Sequence, residues 1–310
     1  GGLVAFPTET VYGLGANALD PQAVRGIFAA KGRPQDNPLI IHLEDASQTA
    51  LYAKNIPPVY YRLCEQFSPG PLTIILPKRE NIPLETSGGL DTVAVRIPSH
   101  PVARQIIHWA GVPVAAPSAN LSGSPSPTTA EHCVNDLWGR VDAIVDGGAC
   151  SVGLESTVLS LAGEHPVLLR PGAVTPQMLR PFLPDLQLHE AITHKLREGQ
   201  TAASPGMKYK HYAPKGDLTL VSGTSEKVVE KIRELASEKL AAGFRVGIIA
   251  TEETKALYAV TGPQAASAVV MSIGTRKDED TITHNLYDIL RRMDGENVSY
   301  IYCLLYTSPS

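Results

Sequence analysis

Apolar positions along the chain fall into short runs closed by proline or glycine, and into a few longer stretches with helical spacing. "GGLVAFP" reads as a short buried strand, and "PLIIHL", "LTIILP" and "TVAVRIP" are apolar runs bounded by Pro that predict strands. "LDPQAVRGIFAAKGR" predicts a helix: Asp20 caps it, Pro21 opens its first turn, Val24, Ile27 and Phe28 share a face, and Gly32 stops it. "PVARQIIHWAG" is a second helix, "VPVAAPS" another strand, and "TTAEHCVNDLWGR" a helix capped by Thr128 or Thr129. "VDAIVDGG", "STVLSL" and "PVLLRPG" complete the sheet material. Strands and helices mix without a regular βαβ ladder, so the expectation is a mixed, twisted sheet with flanking helices.

The periodicity stops near Leu196. "REGQTAASPGMKYKHYAPKGD" is polar, locally basic and punctuated by Pro and Gly, which predicts a linker. A fresh α/β pattern follows: strand "DLTLVSG", helix "SEKVVEKIRELASEKLAAG", strands "RVGIIA" and "AVVMSIG", and helix "THNLYDILRRMD". The expected organisation is a first domain over 1–195, a linker over 196–216, and a smaller Rossmann-like α/β domain over 217–302, with a parallel sheet. The chain opens at glycines rather than Met. It closes with "CLLYTSPS", and residues 303–310 are expected to be a non-native tail.

Composition narrows the function classes. Hydrophobic residues make up 43% and charged residues 19% of 310, as in soluble globular proteins. A net charge of −4 argues against general nucleic-acid binding, so any anion site must be local. No apolar run is long enough for a membrane helix, and no signal peptide is expected. The four cysteines are scattered without a CxxC pair, which predicts a reducing, cytoplasmic setting and no structural zinc.

The candidate chemistry lies in the first domain. "FPTETVYGLG" sets three hydroxyl residues and a carboxylate between a strand and two glycines. In "KGRP", Lys31 and Arg33 flank a glycine; a point charge beside a planar fork suits a polyphosphate, although cations at a helix C-terminus also offset its dipole. In "APSANLSG", Ser118, Asn120 and Ser122 crowd one turn with Gly123, a pattern for cradling phosphate or ribose and equally one for an ordinary turn. Arg170 ends a strand beside Pro-Gly in "LLRPG", a common place for a functional guanidinium. Other motifs fail. Gly148 and Gly153 have the phosphate-loop spacing, but Leu154 stands where that loop needs Lys. "HEAITH" is one residue too long for a zinc-protease site, no GxSxG is present, and "GLGAN" lacks the third glycine of a dinucleotide fingerprint. Asp278, Glu279 and Asp280 read as a solvated charge run.

Taken in order, "PTETVYGLG", "KGRPQDNPLIIH", "PSANLSG", "GLESTV", "LLRPG" and "SPGMKYKHYAP" resemble the Sua5/YrdC family of threonylcarbamoyl-AMP synthases. The second domain resembles the extra domain that short YrdC-type members lack. The resemblance implies synthesis of threonylcarbamoyl-AMP from L-threonine, bicarbonate and ATP, with pyrophosphate released. The product would pass to the tRNA threonylcarbamoyl-transferase complex, and magnesium would accompany the phosphates. It implies a threonine side made by Thr8, Thr10, His42, Arg96, Ala116 and Ser156, with Tyr12 beside them and Gly13 and Gly15 allowing close backbone approach. Arg96 is then expected to grip the threonine carboxylate in a two-pronged pair. The implied nucleotide side is Lys31, Arg33, Asn37, Thr92, Ser118, Asn120, Ser126 and Arg170, with Tyr209 of the linker reaching over the nucleotide. Lys31 and Arg33 would act catalytically on the phosphates from a loop, and no covalent nucleophile is required. Two alternatives are a carbamoyl-adenylate-forming enzyme, which would need an acylphosphatase segment and zinc-finger cysteines, and a double-stranded-RNA-binding module, which the acidic balance disfavours.

Overall fold

The computed structural model describes residues 1–35, 37–193 and 213–304. The chain divides into two compact units, Gly1–His211 and Tyr212–Ser310. Unit one opens with β1 (Val4–Phe6), β2 (Gly13–Asn17), α1 (Pro21–Lys31), β3 (Ile40–His42), α2 (Pro58–Phe67), β4 (Leu72–Pro77), α3 (Leu84–Ser87) and β5 (Thr92–Arg96). It continues with α4 (Pro101–Ala110), β6 (Val114–Ala115), α5 (Ala130–Leu137), β7 (Ala143–Ile144), β8 (Thr157–Ser160), β9 (Val167–Arg170), α6 (Pro176–Leu179), β10 (Gln187–Leu188) and α7 (Glu190–Thr193). Its strands form one sheet in the order β10-β9-β8-β4-β5-β3-β6-β2-β1-β7. Parallel and antiparallel pairs alternate irregularly, as the mixed pattern predicts.

Helix α1 follows its sequence signals. Asp20 Oδ1 accepts from the amides of Gln22 and Ala23, Val24, Ile27 and Phe28 are buried, and Gly32 closes the helix at φ 61°. Thr129 caps α5. The stretch "GLGAN" is not a ligand turn but the buried strand β2, antiparallel to β1. A methyl group on Gly15 would stand 2.6 Å from Phe6 Cε1 and 2.9 Å from Val114 Cγ1. Gly15 is therefore required by close packing against Phe6 rather than by approach of a ligand.

Unit two holds β11 (Asp217–Val221), α8 (Ser225–Ala241), β12 (Val246–Ala250), β13 (Ala268–Ser272), α9 (Glu279–Gly295) and β14 (Tyr300–Leu304). Its sheet runs β11-β14-β12-β13 with every pair parallel. Val228, Ile232, Ala236 and Leu240, spaced by four on α8, bury against Val246, Ile248, Ala250 and Tyr302. The acidic run read as solvated has a second use. Asp278 caps α9 by accepting from the amide of Asp280, and Glu279 and Asp280 put negative charge at the helix N-terminus. Strand β14 extends through Cys303 and Leu304, with Cys303 opposite Leu220 and Ile249, so the sheet takes in two residues beyond the boundary expected at 302. No helix among the described residues is long and apolar enough to cross a membrane.

Candidate active site

Five adjacent strands of unit one bring polar side chains to one end of the sheet. His42 ends β3 in register with Arg96, which ends β5, and Thr73 on β4 lies opposite Arg96. Ser156, just before β8, shares a 2.7 Å hydroxyl–hydroxyl bond with Thr73. Arg170, the last residue of β9, donates Nε to the Ser156 carbonyl at 3.0 Å and Nη2 to Ser156 Oγ at 3.1 Å. With strands spaced 4.7–4.9 Å, the row from Arg170 to His42 covers about 19 Å. Two residues along each strand, Ile40, Ala94, Ile75 and Val158 belong to a small apolar cluster. A strand alternates its faces with period two, so the polar row and this cluster share one face of the sheet.

The ring of His42 is buried, and its Nδ1 lies 3.3 Å from the Val114 carbonyl. A carbonyl can only accept, so Nδ1 carries the hydrogen and Nε2 keeps its lone pair. Burial and the nearby Arg96 charge pull the imidazole pKa down to about 3, so the ring is neutral at physiological pH. Arg96 donates Nη2 to Glu9 Oε1 at 2.6 Å and Nε to the Gly70 carbonyl at 3.4 Å. Glu9 Oε2 accepts from the Ser99 amide at 3.0 Å. Burial raises the Glu9 pKa, but attraction to Arg96 and these hydrogen bonds outweigh it, leaving the carboxyl below its ordinary value and ionised.

The hydroxyls at the chain start divide between frame and site. Thr8 Oγ1 donates to the Val11 carbonyl at 2.6 Å and accepts from the amides of Thr10 and Val11. Its one hydrogen is thereby used, so in the 2.9 Å pair with Thr10 it is Thr10 that donates. Thr10 Oγ1 retains its acceptor capacity. Tyr12 is committed to structure: its hydroxyl donates to the Gly148 carbonyl at 2.7 Å and accepts from the Gly147 amide at 3.3 Å.

A second group gathers at the end of α1. Lys31 is the last helical residue and is buried, not in a loop. Its Nζ donates to the carbonyls of Ser118 and, at 2.6 Å, Asn120, and reaches Asn120 Oδ1 at 3.5 Å. The Lys31 carbonyl accepts from the Ser122 amide at 3.0 Å. Asn120 Nδ2 donates to the carbonyls of Leu121 and Ser124, which folds the "SANLSG" turn on itself. The same turn is hung on β2 through the bonds from the Leu14 amide to Pro117 O and from the Ala119 amide to Tyr12 O. Burial, then the like charge of Arg33, pull the Lys31 pKa down to about 7. Arg33 thus lies near enough for its charge to act on Lys31. Ser126 donates to Glu155 Oε1, and the Leu121 amide donates to Asp136 Oδ2 at 3.1 Å.

The Sua5/YciO/YrdC family model, described as "Telomere recombination", matches residues 1–172, and the model for the C-terminal domain of threonylcarbamoyl-AMP synthase matches residues 174–308. The chain belongs to the Sua5/YrdC family. It is 46% identical over 301 residues to the threonylcarbamoyl-AMP synthase of Pyrococcus abyssi, covering 97% of this chain and 84% of that one. It is 45% identical over 300 residues to the same enzyme of Bacillus subtilis, covering 96% and 83%. The crystal structure of P. abyssi Sua5 complexed with L-threonine matches with a TM-score of 0.90 at 44% identity, covering 99% of this chain and 86% of that chain.

Against the residues expected from the Sua5/YrdC resemblance, the structure gathers His42, Arg96 and Ser156 in one row with Arg170, and Lys31, Ser118 and Asn120 at one turn. Ala116 donates its amide to Ile40 O at 3.0 Å beside β3. Asn37 is fully buried before β3. Thr92 shares the Arg96 face but begins β5, four residues or about 13 Å away along the strand. Tyr209 lies outside the described residues, as does the whole "SPGMKYKHY" stretch. Arg96 already gives one N–H to Glu9 and one to Gly70, and the Tyr12 hydroxyl is bonded to Gly147 and Gly148. The sequence reading assigned no role to Glu9, Thr73, Asp136 or Glu155. Of these only Glu9 had a signal, a lone carboxylate set among hydroxyls ahead of an apolar strand.

Proposed function

We propose that this chain makes L-threonylcarbamoyl-AMP from L-threonine, bicarbonate and ATP and releases pyrophosphate, the first step of N6-threonylcarbamoyladenosine formation at position 37 of tRNA. The observation that carries this reading is the match, across 99% of the chain, to a solved Sua5 described as a complex with L-threonine. The active domain is assigned to 1–195, followed by a linker over 196–216 and the C-terminal domain.

The threonine amine takes up carbon dioxide from bicarbonate with loss of water, giving a carbamate. A carbamate oxygen attacks the α-phosphorus of ATP, and the bond to pyrophosphate breaks. The protein's task is to hold two anions together and to stabilise the added charge on phosphorus. Arg96 suits the threonine carboxylate through its remaining N–H groups. His42 Nε2 and Thr10 Oγ1 are acceptors suited to the substrate's hydroxyl and ammonium hydrogens. Lys31, Arg33 and Asn37 are assigned to the phosphates, and Ser118, Asn120, Ser126, Arg170 and Thr92 to the nucleotide. Among the described residues no group of three or more His, Cys, Asp or Glu is arranged to hold a metal ion. The carboxylates of Asp136 and Glu155 are engaged by the Leu121 amide and the Ser126 hydroxyl. Magnesium would accompany the phosphates, where it keeps much of its own water. The product would pass to the tRNA-modifying complex in the cytoplasm, a setting that the four free cysteines suit.

Pyrophosphate release, measured with each substrate omitted in turn, tests the reading. Release must require threonine, bicarbonate and ATP together; release that ignores threonine overturns it. Side-chain discrimination is a second expected result. Valine lacks the hydroxyl and leaves a buried acceptor unpaired, at about 1–3 kcal/mol. Serine lacks only a methyl, at about 0.8 kcal/mol. Serine is therefore expected to support faster release than valine at equal concentration, and the opposite order would remove the hydroxyl contact.

A further inference from the structure

We infer that Glu9 is a positioning residue that holds the Arg96 guanidinium oriented for the substrate carboxylate, an inference that rests on the reading above. The carboxylate of Glu9 is pinned on both oxygens, by Arg96 Nη2 at 2.6 Å and by the Ser99 amide at 3.0 Å. Its own carbonyl accepts from the Val152 amide at 2.7 Å, so its backbone is tied as well. Glu9 and Arg96 are only 4% and 5% exposed. The guanidinium is thus fixed along two directions, Nη2 to Glu9 and Nε to the Gly70 carbonyl. Among the described residues its bonds run through those two nitrogens, and Arg96 is in register with His42 on the neighbouring strand.

A purely stabilising pair is a poor account of this geometry. Taking two charges out of water costs about as much as their attraction returns, and a well-packed apolar pair does as well. A shared guanidinium has a chemical consequence that an apolar pair lacks. Arg96 meets its ligand with its orientation set beforehand by an ionised partner. That favours an extended amino acid bearing a single carboxylate and lowers the cost of ordering a long side chain on binding.

The test uses the full chain, the Glu9→Gln variant, and both sequences on an Arg96→Lys background. Glutamine keeps the shape and removes the charge. Losing a charge-assisted bond is worth roughly tenfold or more in affinity, so the threonine KM of Glu9→Gln is expected to rise by about that factor. The ATP KM should stay within about twofold, since Lys31, assigned to the phosphates, is held separately at the end of α1. On the Arg96→Lys background, Glu9→Gln should add less than about twofold, because residues that act through one another are not additive. Parallel loss of threonine and ATP use, or a Glu9→Gln effect undiminished on the Arg96→Lys background, overturns the assignment. A wild-type chain that releases no pyrophosphate in response to threonine would fault the reaction instead. In that event the Arg96 Nε–H signal in a ¹⁵N nuclear magnetic resonance spectrum still decides: sharp in the wild type and broadened in Glu9→Gln supports positioning, and equally sharp in both refutes it.

Discussion

Lys31→Ala is expected to destabilise the first unit by roughly 3 kcal/mol or more, and to cut pyrophosphate release at least about tenfold. The ammonium ties the end of α1 to the carbonyls of Ser118 and Asn120 and to the Asn120 side chain. Alanine leaves buried acceptors unsatisfied, each at about 1–3 kcal/mol, and opens a cavity where the stem ran. One effect works the other way. The pKa drawn down to about 7 shows that burying this charge beside Arg33 is itself unfavourable, and alanine removes that cost. The acceptors decide the sign, because Ser118 and Asn120 belong to a turn that folds on itself and has no other cation among the bonds described at those carbonyls. A loss of this size shifts the melting temperature of a unit this large by about 10 °C. Lys31→Met separates the causes, since methionine fills the space without donating. Melting of Lys31→Met like that of Lys31→Ala assigns the loss to the hydrogen bonds, and wild-type melting in both would dismiss the staple. A lysine read as a loop residue would have been expected to leave folding untouched; its place in the helix reverses that expectation.

Stability is expected to fall steeply as the pH drops from about 6.5 toward 3, and His42→Asn is expected to flatten that fall. His42 holds its proton in the folded chain only below about pH 3, against an ordinary value of 6.5. Between those limits the unfolded chain binds the proton and the folded chain does not, so stability rises with pH across the window and is lost as pH falls through it. At 1.36 kcal/mol per pKa unit the full effect approaches about 5 kcal/mol. The cause is burial first and the positive charge of Arg96 second. Asparagine can keep the bond to the Val114 carbonyl through its amide nitrogen, and it does not titrate. Glu9 adds a slope of the same sign at lower pH: its folded pKa lies below 4.5, so its contribution is complete above that value and is lost as pH falls through the lowered one. Urea midpoints measured by circular dichroism at half-unit steps give both curves. Identical curves for wild type and His42→Asn would show that the imidazole is not held neutral by the fold.

Local signals carried much of the architecture. The cap, apolar face and stop of α1 sit where Asp20, Val24, Ile27, Phe28 and Gly32 predict, because each acts within one or two turns of its own chain. Apolar runs between prolines became β4 and β5 for the same reason, and the parallel sheet of unit two follows from strands separated by helices. The use of Gly15 was not legible in "GLGAN": it makes room for Phe6 and Val114, and nothing within the pentapeptide announces them.

Motif order was sufficient to place the chain in its family, and the resemblance then nominated Lys31, His42, Arg96, Ser118, Asn120, Ser156 and Arg170. Residue type and spacing are local properties, and six short stretches in one order suffice for recognition. Which groups those residues engage was decided only by the tertiary structure. Glu9 and Arg96 are 87 positions apart, Lys31 and Asn120 are 89 apart, and Thr73 and Ser156 are 83 apart. Each contact exists because the fold returns segments distant in sequence to one another, the Arg96 and Ser156 contacts through a mixed strand order. The protonation of His42 and Lys31 likewise depends on desolvation by the folded whole, a quantity that has no value until the chain has closed around them.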